Sequence, residues 1–452
     1  MSTTSATSTR TADREAYLKH LLGQAIAVAE KSELDLESLR SRAHALVSEQ
    51  SFPSGRDEEW RFTDLSEMLA VPFPAAAEET LAADALESGL PWLNSDDCRL
   101  TSVNGHYAPA LSLASRDNQV STNLPEGAVV APLSALMAHP DFSRQIGSSI
   151  SARLAQIQGG GEVFTALNTA GFADVMVVWL RADQVLDQPV HIVRASQAGA
   201  IAHLRTLVIA ERHASFTLVE SFWGDDEQTR CNNSVTEIWL EAGAQVNHIR
   251  LQNEGAQTFH IAKTAVSQAA DSRYQCTAID LGAKLSRHHL EVYQTGPQTD
   301  THLYGLSALS DRQLADTHSL IALTHPHSEA TQIQKNIVDD RAHSVFNGRV
   351  LVSQAAQMTN ASQLNRNLLL SSKARVDTKP ELDIVADNVK CAHGATVSQL
   401  QADEVFYLQS RGISAEQAQR LLLYGFAMEI VEKITFAPLR QSLSDRLTRW
   451  TR

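Results

Sequence analysis

Leu204-Arg205-Thr206-Leu207-Val208-Ile209-Ala210-Glu211-Arg212-His213-Ala214-Ser215-Phe216-Thr217-Leu218-Val219-Glu220-Ser221 is the stretch whose reading decides the fold. Residues 204–210 and 216–221 are short runs rich in Val, Ile, Leu and Thr, the composition of β-strands, and the small or polar pair Ala214-Ser215 is an elbow between them. The unit returns on both sides. Runs at 175–180 and 190–194 precede it and one at 235–240 follows. Further elbows stand at Ala244-Gln245, Asp271-Ser272, Thr299-Asp300, Glu329-Ala330 and Ala355-Ala356. A spacing of roughly 25 to 30 residues is what coils stacked into a solenoid produce, each sharing its apolar side with its neighbours. A β-helix is the natural candidate, and a sandwich or barrel remains the alternative from the pattern alone. In a coil, apolar residues are expected to face inward and their polar partners solvent. This puts Val246 and His248 out of phase with Asn247, Ile249 and Leu251.

The chain of 452 residues can bury a large core and hold more than one structural unit. Lys and Arg number 38 against 52 Asp and Glu, a formal charge of −14. That balance argues against a nucleic-acid or anionic-membrane surface and for protein partners. No apolar run approaches the roughly 18 to 20 residues that cross a bilayer, and the N-terminus lacks a basic segment followed by an apolar core. A soluble, cytoplasmic chain is expected. Cys98, Cys231, Cys276 and Cys391 are scattered without C-x-x-C spacing, so neither a disulfide scaffold nor a self-contained zinc site is encoded.

Outside the strands, residues 1–13 are mostly Ser, Thr and Ala and read as a disordered tail. Residues 14–160 read as a mainly helical region: two helices broken near Ser32, then further helical segments at 132–137 and 142–156. The aromatics Trp60 and Phe62 are expected to pack this region onto the body of the protein. Residues 161–400 form the β-helix core, and 401–452 return to helical spacing. There Ser414-Ala415-Glu416-Gln417 has the form of a capping box. Behind it Ala418, Leu421, Leu422, Gly425, Phe426 and Ile430 form an apolar stripe, Pro438 is expected to end the helix, and Leu439, Leu443, Leu447 and Trp450 mark another.

The chain has no phosphate-binding G-x-x-x-x-G-K-[ST] loop, no H-E-x-x-H, no G-x-S-x-G and no dinucleotide fingerprint, which disfavours an ATPase and the common enzyme classes. His318, His325, His327 and His343 gather in sequence, but His325-Pro326-His327 reads as a loop rather than a metal site. Cys231 and Cys276 read as core thiols. Toward the C-terminus, Leu382, Ile384 and Val389 mark short extended segments, and residues two apart on a strand share a face, so Cys391 and His393 project side by side. Taken alone, the pair reads most simply as a buried inert thiol beside a turn histidine. A tetrahedral iron or zinc site needs four ligands, and this neighbourhood offers one sulfur and one nitrogen, so the others must come from elsewhere.

The wider C-terminal stretch resembles the signature of the SufB/SufD family of iron–sulfur cluster assembly proteins. The resemblance runs through Phe346-Asn347-Gly348-Arg349-Val350 and Thr359-Asn360-Ala361-Ser362-Gln363-Leu364-Asn365-Arg366-Asn367. It continues through residues 376–396, Phe406-Tyr407-Leu408-Gln409-Ser410-Arg411-Gly412-Ile413 and Leu421-Leu422-Leu423-Tyr424-Gly425-Phe426-Ala427-Met428-Glu429. Phe164-Thr165-Ala166-Leu167-Asn168-Thr169-Ala170 resembles the entry to the family's central domain, although Gly171-Phe172-Ala173-Asp174 departs from its usual Asp-Gly turn. Glu59-Trp60-Arg61-Phe62-Thr63 resembles an element of the SufD branch. With Gly394 after His393, where the SufB branch tends to carry Glu, it favours SufD over a SufB-type scaffold that ligates a cluster itself.

The resemblance implies a right-handed parallel β-helix, mainly β, flanked by N-terminal and C-terminal helical regions. It also implies a non-catalytic subunit of a SufB–SufC–SufD complex. Its Cys391 and His393 would face SufB and share a transient Fe–S cluster with it as metal ligands, with His393 the essential member. The ATPase SufC would dock on the C-terminal helices at about 403–433, through Phe406, Leu421, Leu422, Gly425, Phe426 and Glu429. Self-pairing as a homodimer through the SufB-facing surface is left open. A β-helix carbohydrate-active enzyme is the rival from another class. Against it, the acid pairs Asp225-Asp226 and Asp339-Asp340 read as solvated turns, and no aromatic ladder for sugars is visible.

Overall fold

A computed structural model describes residues 3–450 apart from 33, 95–96, 114–126, 140–146, 198 and 226–227. The start of the helical segment expected at 142–156 and the second acid of the 225–226 pair lie outside the described residues.

The chain forms β1 (Cys98–Val103), β2 (His106–Tyr107), β3 (Ala128–Pro132), β4 (Val175–Leu180), β5 (Val190–Ser196), β6 (Ile201–Ala210), β7 (Ser215–Gly224), β8 (Arg230–Leu240), β9 (Gln245–Asn253) and β10 (Thr258–Gln268). These are followed by β11 (Arg273–Asp280), β12 (Leu285–Gln294), β13 (Asp300–Leu309), β14 (Leu314–Leu323), β15 (Glu329–Val338), β16 (His343–Val352), β17 (Asn360–Leu369), β18 (Arg375–Ile384) and β19 (Lys390–Ser398). From β4 onward, even-numbered strands stack on one another in parallel to make one sheet and odd-numbered strands make the other. Each successive pair is one coil of a parallel β-solenoid of about eight turns. The expected β-helix is the observed fold.

The elbows recur because each repeats one backbone device. His213, Gly243, Asp271, Gln298, His327 and Met358 all have φ between 58° and 70°. Each donates its N–H to a carbonyl of the next coil's elbow: His213 to Ala242, Gly243 to Ala270, Asp271 to Pro297, Gln298 to Pro326, His327 to Gln357 and Met358 to Asn388, at 2.7–3.1 Å. A left-handed residue is costly for most side chains. Here that conformation turns the amide along the stacking axis, where a hydrogen bond to the coil above offsets the cost. His327 is thus an elbow residue, as the loop reading of His325-Pro326-His327 expects.

Three layers of apolar packing hold the solenoid. Its interior is filled by side chains such as Val190, Leu218, Val246, Ile238 and Val266. On the outside of the odd sheet, Ile249, Leu251, Ile279, Leu306 and Ile337 meet Leu423, Ala427, Ile430 and Leu439 of the C-terminal helices. On the outside of the even sheet, Ile201, Cys231, Phe259 and Ile261 meet Tyr17, Leu21, Trp60 and Phe164. This corrects the expected alternation: Val246 and His248 do point inward, but Ile249 and Leu251 face a second core rather than solvent. Helices cover both sheet faces, so both sides of a strand are buried, as in other parallel sheets.

The N-terminal region is fastened across the even sheet. Its first helix, Thr3–Ala29, begins within the stretch whose composition predicts a tail, because each residue added to a packed helix gains a hydrogen bond without a new nucleus. A second helix spans Glu37–Ser48, and a short turn, Glu58–Trp60, follows. From this turn Glu58 pairs with Lys379 (2.7 Å), Glu59 with His318 (3.2 Å), and Thr63 hydrogen-bonds Asp316. Trp60 is buried under the Arg287 guanidinium, which lies 4.0 Å from its ring centre. One strap thereby grips β12, β14 and β18. The helix Val163–Gly171 is capped by the Glu162 carboxylate, and the departure at Gly171-Phe172 marks its end.

At the C-terminus helices span Ala402–Ser410, Ala415–Val431 and Ala437–Trp450. Ser414 and Gln417 form the expected capping box. Two expectations need correction. Pro438 does not end the middle helix but sits in the first turn of the last one, where its missing N–H would have had no partner anyway. The buried stripe is Ala418, Leu423, Ala427, Ile430 and Val431, rotated from the expected one, so Leu421 and Gly425 face outward. No described helix is long and apolar enough to cross a membrane.

Candidate functional site at the open end of the solenoid

The last coil is made by β18 and β19, and each is the terminal strand of its sheet, bonded among the described residues only to β16 and β17 respectively. Ten residues of β18 and nine of β19 leave a row of backbone donors and acceptors on their free edges. Such an edge is a template for another chain. Pro380 lies within β18, which only an edge strand tolerates. It is opposite Gly348.

With no coil above, the inward side chains of this coil open to solvent. Cys391 pairs in register with the core residue Ala361 and packs at the rim of the interior, half-buried. His393, two residues on, therefore points the same way, and it is exposed. The shared face expected for the pair is the mouth of the solenoid. Burial raises the Cys391 thiol above its ordinary pKa, although the Ala361 backbone hydrogen bond opposes this. It is therefore protonated near neutral pH and a weak ligand as it stands. Among the described residues no group of three or more His, Cys, Asp or Glu side chains is arranged to hold a metal ion. One thiol and one imidazole fit half of an iron or cluster site.

The interior beneath the mouth forms columns in register. One runs Val190, Leu218, His248, Cys276, Leu303, Gln332, Gln363 and His393. Gln363 is thus the side chain directly below His393. Sequence reading gave it no role, because only coil register makes the two neighbours.

The other expected histidines are dispersed. His318 is buried between Glu59 and Asp316, His343 pairs with Asp377 at 2.7 Å, and His302 with Asp300. Cys231 and Cys276 are fully buried thiols, as expected.

The residues expected to dock an ATPase divide. Phe406 and Leu421 are exposed by 71% and 51%, with Tyr407 at 58%, which is unusual for such side chains and makes them available to a partner. Gly425 is exposed and Leu422 partly so. Phe426 and Glu429 are instead tied to the solenoid: Lys335 lies 4.3 Å from the Phe426 ring centre, bonds its carbonyl at 3.0 Å and pairs with Glu429.

The sequence profile described as SUF system FeS cluster assembly, SufBD core domain, matches residues 192–426, and that of the SufBD protein N-terminal region matches 11–192. A SufBD-family iron–sulfur cluster assembly protein of Synechocystis is 44% identical over 421 residues, covering 90% of this chain and 89% of that protein. A chloroplastic protein of Arabidopsis thaliana, ABCI7, is 32% identical, covering 94% and 88%. The iron–sulfur cluster assembly protein SufD of Escherichia coli is 29% identical, covering 87% and 88%. With both profiles in succession and relatives matched along nearly their whole length, the chain belongs to the SufBD family of iron–sulfur cluster assembly proteins.

Proposed function

We propose that this chain is the SufD-type, non-catalytic subunit of a SufB–SufC–SufD assembly. It supplies part of the nascent-cluster site where its open solenoid end meets SufB. The observation that carries the reading is the last coil: two free strand edges flank a mouth that presents one imidazole and one thiol, a site that only a second chain can complete. The cluster is cargo, shared with the partner and not held by this chain alone. ATP hydrolysis belongs to SufC, which docks on the outward face around Phe406, Tyr407 and Leu421.

His393 is the stronger member of the pair. A neutral imidazole ligates iron or carries a proton near neutral pH, whereas the Cys391 thiol is kept protonated by its burial. Complementation of a strain lacking this subunit tests the reading. His393→Ala is expected to leave the complex assembled and stop cluster formation, and Cys391→Ala to be milder. Full complementation by His393→Ala defeats the proposal. A His393→Ala complex that fails to assemble reduces that histidine to a structural role.

A further inference from the structure

Gln363 lies one coil below His393, paired with it in register, and is 2% exposed. Its amide nitrogen donates to Gln332 Oε1 at 2.8 Å, and Gln332 in turn exchanges hydrogen bonds with Ser319 across the interior. Gly348 leaves the space that this amide occupies, since a Cβ there would collide with it. The amide is therefore locked at its nitrogen. Its Oε1, however, is a buried acceptor without a hydrogen-bond partner. Above it, the His393 side chain makes no hydrogen bond or ion pair among the described residues, although Cys391 beside it packs on the core.

An orphaned buried acceptor is costly, and the exposed imidazole one strand spacing of about 4.8 Å above it is a donor that a turn of the ring brings toward it. We propose that Gln363 is the positioning residue for His393, accepting Nδ1–H on its carbonyl so that the Nε2 lone pair points out of the solenoid mouth. Nδ1 is the ring nitrogen bonded to Cγ, and a ring turned so that Nδ1–H faces the coil below sends Nε2, at the tip, the opposite way. A ligating histidine commonly donates its other ring N–H to a carbonyl, which fixes both tautomer and direction. Ser319, Gln332 and Gly348 then serve to hold that carbonyl still. The inference rests on His393 acting at the assembly site.

The test reads the tautomer directly. The intact chain, labelled with 15N-histidine, is examined by long-range 15N–1H correlation above about pH 8, where imidazole is neutral. His393 is assigned through His393→Gln. The Nδ1–H form is expected in the native chain; a predominant Nε2–H form, or an averaged signal, overturns the proposal. Gln363→Met removes the acceptor at similar length and should release the tautomer, whereas Gln363→Glu keeps an acceptor and should retain Nδ1–H. An Nδ1–H form that persists in Gln363→Met also overturns it. Should the Met variant fail to fold, the native chain and Gln363→Glu decide alone. Iron retention by the assembled complex is expected to fall about 10- to 100-fold in Gln363→Met and to recover in Gln363→Glu. Full complementation by His393→Ala with a fixed tautomer would sink the assembly role of His393 and leave the hydrogen bond standing. A free tautomer with an inactive His393→Ala would do the reverse.

Discussion

Arg205 and Glu237 stand on neighbouring strands β6 and β8 beneath the helix Val163–Gly171, 2.6 Å apart and each 1% exposed. The Arg205 guanidinium also bonds Asn168 and Thr169 of that helix, so the pair joins helix to sheet. Removing one partner of a buried pair strands the other charge away from water. Glu237→Ala should therefore cost about 3–5 kcal/mol in chemical denaturation. The double replacement Arg205→Met with Glu237→Leu should recover most of that loss, and a double variant no more stable than Glu237→Ala would show that the ion pair itself supplies the stability. The sequence offered no route to this pair, because residues 32 apart meet only when the coils stack in this register. By contrast, the common face of Cys391 and His393 was legible at once, since a spacing of two on a strand fixes it locally. Gln363 was already within the family resemblance, but its place under His393 was not.

The middle C-terminal helix, Ala415–Val431, illustrates the same limit for an element. Its start was readable from Ser414 and Gln417, a device complete within one turn. Its orientation was not, because Leu421, Leu422, Leu423 and Phe426 offer more apolar surface than one face can bury, and the solenoid chose Leu423 and Ala427. Leu421→Asp should consequently leave the melting temperature within about 2 °C of the native chain, as expected for an exposed surface change in a protein of this size. In pull-down it should abolish capture of the ATPase partner proposed above. Ala427→Asp buries a charge in the core that also holds Ile337 and Leu306 and should lower the melting temperature sharply. Retained capture by Leu421→Asp would move the docking face elsewhere.

For the whole molecule, burial of histidines makes folding sensitive to acid. His203 and His191 are pushed down to about 4, in both cases first by burial, and His288 and His289 are also held well below their ordinary value by burial. Between about pH 6.5 and 4 the unfolded chain binds protons that the folded chain refuses. The stability contributed by these four histidines is therefore full above 6.5 and is lost as pH falls through that window. The His248 imidazole runs the other way: although burial opposes it, Cys276 and Glu220 raise it to about 9, so its contribution is lost as pH rises from 6.5 through 9. Denaturation midpoints should peak near pH 6.5 and fall on the acid side. His203→Leu should flatten the acid limb by roughly 3 kcal/mol. An unchanged limb would mean that His203 titrates normally. At this scale the division between sequence and structure is clear. Strand composition, elbow spacing, the capping box and the Cys391–His393 face were determined by the sequence alone, because each depends on residues within a turn or a coil. Which faces the helices cover, where Leu421 points, what lies beneath His393 and which coil is left open were decided only by the tertiary structure. Those outcomes depend on coil register and on surfaces competing for burial between residues far apart in the chain.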